Sequence, residues 1–169
     1  MLAAYYSRGS NSAELFVGRD IAKNPDFDNH LNRHNVIYFD VQSFYVQSHN
    51  REHIVGEIES VLLSELRAEF FSILSDEQDT LAKALSQIQL KTGQKFIIII
   101  DEWDHLIREE SVPLTVRRCY IDFLSGLFKG TGPSKYIELA YLTGILPIIK
   151  IRMESALNNF TEFTMLGAG

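Results

Sequence analysis

The chain has 169 residues, enough for one sizeable core and too few for two comfortable domains. Its 46% hydrophobic and 22% charged residues are the make-up of an ordinary globular protein, which excludes fibrous and wholly disordered classes. Sixteen basic against 22 acidic residues give a net charge of -6, which argues against broad binding to nucleic acid or anionic membrane and leaves a local nucleic-acid site open.

In chain order, "MLAAYYSRG" (residues 1–9) reads as the end of a helix, with Gly9 placed to close it in a left-handed conformation. It lacks the basic start and apolar stretch of a secretory signal, and no run approaches the roughly 18 apolar residues of a membrane span. A cytoplasmic chain is expected. Residues 10–34 are polar with scattered apolar positions, the pattern of short helices and turns. "NVIYFDVQ" (35–42) is a β-branched and aromatic run that predicts a buried strand ending near Asp40.

Ile54, Ile58, Leu62, Leu66 and Phe70 recur at every fourth position and predict a long amphipathic helix over 52–71. "SDEQ" (75–78) has the S-x-x-Q form of a capping box and opens a further helix that Gly93 closes. "KFIIIIDEWD" (95–104) is an apolar strand driven straight into two adjacent carboxylates, with Ile98 and Ile100 expected deep in the core. Val116, Tyr120, Phe123, Leu124 and Leu127 mark another helix, stopped at Gly130. The one cysteine, Cys119, excludes an internal disulfide and reads as a small buried hydrophobe on that helix. "YIELAYLTG" (136–144) predicts a third strand, followed by a short helix around "MESALNNF".

The runs at 36–41, 96–101 and 137–143 are apolar throughout rather than alternating, and helices separate them. Strands of that kind are covered on both faces, so the expected fold is α/β, a three-layer sandwich around a parallel sheet, in one domain over residues 1–169. Such sheets bind ligands beyond the carboxyl ends of their strands, where Asp40, Asp101, Glu102 and Thr143 fall.

A carboxylate leaving an apolar strand is well placed to hold a hydrated Mg²⁺ beside a nucleotide's phosphates, and an acid at the next position can orient an attacking water. Asp101 therefore reads as the metal acid and Glu102 as the water-polarising acid of a Walker B element, with Glu102 facing solvent or ligand. The competing reading is that both acids merely cap the next helix; the hydrophobic run and strand-end position favour chemistry. Asp104 reads as a helix-start or surface residue and Trp103 as packing. Thr143 ends the next strand, where a hydroxyl can contact a γ-phosphate or the water; otherwise it stabilises the turn before Gly144. Arg108 and Lys150 can meet phosphate, although solvated surface charge is the default for both.

A phosphate cradle of the form G-x-x-x-x-G-K-[ST] occurs nowhere in the chain. "GTGPSK" (130–135) follows a helix and precedes a strand, so its order and spacing are wrong. A metal-dependent nuclease built on Asp101 and Glu138 also fares poorly, because "ELA" (138–140) lacks the lysine such a strand carries.

The blocks "MLAAYYSRG", "ELFVGRDIA", "HLNRHNVIYFDVQ", "FIIIIDEWD", "YIDFLSGLFKG" and "AYLTGILPIIK…SALNNFTEFTML", in that order, resemble the bacterial AAA-ATPase-like family over nearly the whole chain. The resemblance implies a P-loop NTPase fold with ATP and Mg²⁺ as ligands, often fused to a C-terminal restriction-endonuclease-like domain. It implies roles for Asp101 as the Walker B acid, Glu102 as the catalytic acid and Thr143 as the sensor. The family's Walker A strand and loop are expected ahead of Met1, so the chain reads as a domain that keeps Walker B and the sensor strand without its first strand. ATP binding and hydrolysis are then expected of the complete domain and impaired in this chain. The alternative is a non-enzymatic interaction module, or degenerate NTPase. It would self-associate or bind a partner through the unpaired edge left beside the Thr143 strand.

Overall fold

A computed structural model describes residues 1–74, 80–146, 157 and 159–163. The chain opens with α1 (Leu2–Tyr6), which stops before the predicted glycine. Ser7 is extended and Gly9 keeps a negative φ, because the backbone after Tyr6 is drawn alongside the approach to the first strand. Ser7 bridges His34 in parallel, Arg8 N donates to His34 O at 3.0 Å, and His34 N donates to Tyr6 O at 2.8 Å. Extended pairing, not a left-handed cap, ends the helix.

Residues 10–34 fold as expected into short pieces: 3-10 turns at Ala13–Phe16 and Asp20–Lys23, then α2 (Phe27–His30). The rings of Tyr5, Phe16 and Phe27 meet with centroids 5.3 to 5.9 Å apart, and Tyr5 Oη donates to Phe27 O at 2.9 Å. This aromatic cluster gives a polar segment its own anchor.

The strands follow in order: β1 (Asn35–Asp40), β2 (Phe96–Asp101) and β3 (Ile137–Leu142). Between β1 and β2 run α3 (Val41–Gln47), α4 (Ile54–Glu69) and α5 (Leu81–Thr92). Between β2 and β3 run α6 (His105–Arg108), α7 (Leu114–Phe128) and α8 (Pro133–Tyr136). Helix α4 buries Ile54, Ile58, Leu62 and Leu66, the predicted fourfold stripe. The capping box at 75–78 lies outside the described residues; α5 takes Thr80 as its N-cap, whose hydroxyl accepts from Lys83 N at 3.4 Å. Gly93 ends that helix with φ 71°, as predicted, a conformation that a side chain rarely adopts. On α7 the inward stripe is Val116, Tyr120, Leu124 and Leu127. Cys119, one residue short of Tyr120, is rotated off that stripe and is exposed, contrary to the expected burial.

The sheet is parallel in the order β1-β2-β3, with Asp40 in register with Asp101 and Ile100 with Leu142. The architecture is thus α/β, a three-stranded parallel sheet flanked by helices. Alternation sends Phe96, Ile98 and Ile100 into one core with Ile37, Phe39 and the buried faces of α4, α5 and α7. Full burial on both faces holds for β2 alone, where even Ile99 on the opposite face is only 6% exposed. The register sets Tyr38 and Tyr141 on either side of Ile99, and these remain 51% and 45% exposed. Apolar residues on an outer strand signal proximity to the core but not cover on both sides.

Among the described residues β3 pairs only with β2, so its outer edge is open, as expected. A groove of about 870 Å³ runs along this edge, between β3, Phe128 and the segment Phe160 to Phe163. No helix among the described residues is long and apolar enough to cross a membrane.

Candidate functional site

The four residues predicted at the strand ends do not behave alike. Asp101 closes β2 and Thr143 lies just past β3, next to it across the sheet. Thr143 Oγ1 donates a hydrogen bond to Asp101 Oδ1 across a separation of 42 residues. Asp101 Oδ1 also accepts from Glu102 N at 3.1 Å. The backbone of Thr143 is fixed on both sides, its N–H donating to Ile100 O and its carbonyl accepting from Trp103 N, each at 2.9 Å. One carboxylate and one hydroxyl thus form a half-buried oxygen pair at the carboxyl end of the central strand.

Glu102 turns away from that pair. Its backbone is left-handed, φ 49°, a strained conformation for a residue with a side chain. Its carboxylate pairs with Arg108, so Glu102 does not stand free toward solvent or ligand as expected, and Arg108 is not the solitary solvated charge that was its default reading. The spacing explains both corrections. The left-handed turn at Glu102 and the single turn of α6 bring residues 102 and 108 to the same side. Asp40, the third strand-end acid, caps α3 by accepting from Ser43 N at 3.0 Å and Ser43 Oγ at 2.9 Å.

Asp104 precedes α6 at its N-cap position, the predicted helix start, but its side chain makes no cap hydrogen bond. Rather than lying at the surface, it is 0% exposed. Its Oδ2 accepts from Ile145 N at 3.2 Å and Leu146 N at 2.8 Å, and Arg108 Nε lies 3.4 Å away. The sequence carried one hint, a third acid three residues after Asp101, but nothing local says that the loop after β3 folds back onto it. Trp103 is buried, as predicted, and Tyr120 Oη donates to its carbonyl at 2.8 Å. Burial, reinforced by Asp104, raises the Tyr120 phenol far above its usual range, so it stays protonated and keeps its proton to donate.

His105 is 6% exposed, packs against the Tyr45 ring at 5.1 Å, and neither ring nitrogen has a hydrogen-bond partner among the described residues. Burial, and then the Arg108 charge, lower its pKa; burial and His30 lower that of His34. Both folded values lie below the unfolded histidine value of about 6.5, so the unfolded chain binds more protons as the medium acidifies. Stability is expected in full above about pH 6.5 and is lost as pH falls through the lower folded values. Urea unfolding at pH 7.5 and 5.5 checks this, and His105→Phe is expected to flatten the slope. An unchanged slope in that variant would contradict the assignment.

The oxygen pair of Asp101 and Thr143 fits a divalent cation that keeps most of its own waters, as Mg²⁺ does. No group of three or more potential metal ligands occurs among the described residues. The triphosphate fits less well. "GTGPSK" forms the single-turn start of α8, and Lys150 lies outside the described residues. Glu138 pairs with Lys95 at 3.6 Å near the amino end of the sheet. That places it about 15 Å from Asp101 at 3.3 Å per residue, too far for a shared nuclease metal.

A family model named AAA-ATPase_like, described as "Predicted AAA-ATPase", matches residues 1–153. No curated protein and no solved structure matches the chain.

Proposed function

The chain belongs to the AAA-ATPase-like family of predicted AAA-ATPases, and from that premise we propose that its sheet edge is the metal- and water-handling half of an ATP-hydrolysing site. The observation that carries this reading is the hydrogen bond from Thr143 to Asp101, which joins two strand ends into one oxygen-rich edge. Asp101 is the Walker B acid and would hold Mg²⁺, directly or through water. Thr143 is the sensor, its hydroxyl able to pass from Asp101 to a phosphate oxygen. Glu102 accepts the proton of the attacking water once it is released from Arg108. Bound Mg-ATP would supply the phosphoryl group and the cation that offsets its charge.

These 169 residues contain no G-x-x-x-x-G-K-[ST] segment, while Asp101 and Glu102 add negative charge. Mg-ATP is therefore expected to bind this chain weakly or not at all. Calorimetry on the chain, and on a version carrying a strand and Walker A loop ahead of Met1, tests the proposal. Tight binding is expected only in the second. The exposed, unpaired Cys119 suits the reducing cytoplasm in which we place the chain.

The open β3 edge supports a second reading, an interaction module that pairs with another copy. Parallel strands direct both polar groups of alternate residues to the same side. Thr143 points its N–H and C=O toward β2, so those of Ala140 and Leu142 face the open edge. A concentration-dependent dimer is expected by sedimentation. Ala140→Pro deletes an outward N–H without touching the β2 ladder and is expected to leave a folded monomer. A variant that dimerises like the parent would rule out strand addition at this edge.

A further inference from the structure

We propose that Asp104 is a positioning residue that holds Thr143 against Asp101, and that one buried carboxylate thereby sets the geometry of the whole sheet edge. The proposal rests on the reading of Asp101 and Thr143 as a cation-binding pair. Its geometry is independent of that reading.

Thr143 is followed by Gly144, Ile145 and Leu146, which turn back over the end of β2. The carboxylate of Asp104 receives this turn. Two successive backbone amides, Ile145 N and Leu146 N, donate to the same oxygen, Oδ2. Gly144 between them and Thr143 is pressed so close that a Cβ there would clash with Asp104 Oδ1. The same Cβ would stand 2.7 and 2.8 Å from Cδ1 and Nε1 of Trp103. Only glycine allows that approach. Trp103 N then donates to Thr143 O, so residues 103 and 104 grip the loop on either side of Gly144. What remains free on Thr143 is its hydroxyl, and it points to Asp101.

Asp104 also reaches the other acid. Arg108 Nε lies 3.4 Å from its Oδ2, and the same guanidinium pairs with Glu102. A fully buried carboxylate costs several kcal/mol of desolvation unless it is paired and hydrogen-bonded. Two amides and the Arg108 charge offset part of that cost at Oδ2, while Oδ1 has no hydrogen-bond partner among the described residues. A neutral asparagine oxygen accepts from these two amides more weakly than a carboxylate, because charge-assisted hydrogen bonds are roughly twice as strong as neutral ones. The charge and the Arg108 contact add a link from the Thr143 loop to Glu102.

The probe is Mn²⁺ alone, titrated into the 169-residue chain by electron paramagnetic resonance. Loss of an outer partner of a metal ligand typically weakens metal binding 10–100-fold. Thr143→Val and Asp104→Asn are each expected to weaken Mn²⁺ binding about tenfold. Asn preserves shape and an acceptor, which favours a folded variant. The double variant is expected to bind no more weakly than Thr143→Val, because Asp104 acts through Thr143. Fold-losses that multiply, or wild-type affinity in Asp104→Asn, would overturn the proposal, whereas a change in melting temperature by itself would not separate positioning from plain support. Absent Mn²⁺ binding, or an unaffected Thr143→Val, would instead remove the cation-site reading. Amide hydrogen exchange at Thr143 then decides for Asp104: at least tenfold faster exchange in Asp104→Asn sustains the clamp, and unchanged exchange refutes it.

Discussion

Truncating Ile98 or Ile100 to alanine is expected to destabilise the chain by about 2–5 kcal/mol. Both side chains are fully buried and lie on the core face of the central strand, among Ile37, Phe39 and the inward stripes of α4, α5 and α7. Part of the cost is lost transfer energy for the deleted methylene and methyl groups. The rest is the cavity left where strands on both sides and helices above cannot collapse inward. Val61 on α4 provides the contrast, being exposed although apolar; Val61→Ala is expected to change stability by less than about 0.5 kcal/mol. Urea unfolding measures all three. Losses below about 1 kcal/mol at both isoleucines would mean that β2 is not the centre of the core.

Glu102→Gln, placed in a chain that also carries a Walker A strand and loop, is expected to abolish turnover while sparing nucleotide binding. The substitution keeps size and acceptor oxygen but removes the group that takes a proton from water, a contribution typically worth 10²–10⁴-fold. Binding is expected to survive because the proposed cation site is built from Asp101 and Thr143, not from Glu102. Stability changes little: the Glu102–Arg108 pair is about one-third exposed on each side, and such pairs contribute roughly 0–1 kcal/mol. A Glu102→Gln chain that still turns over at a comparable rate would assign the proton transfer elsewhere. Multiple-turnover phosphate release, with binding followed in parallel, separates the two effects.

The sheet was legible because its signal is strong and local. Five apolar residues before Asp101, and the largely apolar runs before Asp40 and Thr143, read as strands of one parallel sheet, and their ends fall on one edge. The fourfold stripe of α4 and the glycine stop of α5 follow from periodicity and φ preference in the same way. What the sequence hid depends on contacts between distant segments. Tyr5 and Tyr6 look helical to the end, but pairing with His34 pulls Ser7 out of the helix. Asp104 looks like a solvated helix start, yet amides 41 and 42 residues away bury it. Glu102 and Arg108 look independent until a left-handed residue turns one toward the other. The placement of Asp101 and Thr143 at one sheet edge was legible, and the hydrogen bond between them was not.

On the proposed reading, this edge carries the cation- and water-handling groups of an ATPase site but not the phosphate anchor. Isothermal calorimetry with Mg-ATP tests it most directly, on the 169-residue chain and on one extended ahead of Met1 by a strand and a G-x-x-x-x-G-K-[ST] loop. The predicted result is no measurable heat of binding from the first and saturable, roughly micromolar binding from the second, about 8 kcal/mol of affinity. Micromolar binding by the 169-residue chain alone would contradict the claim.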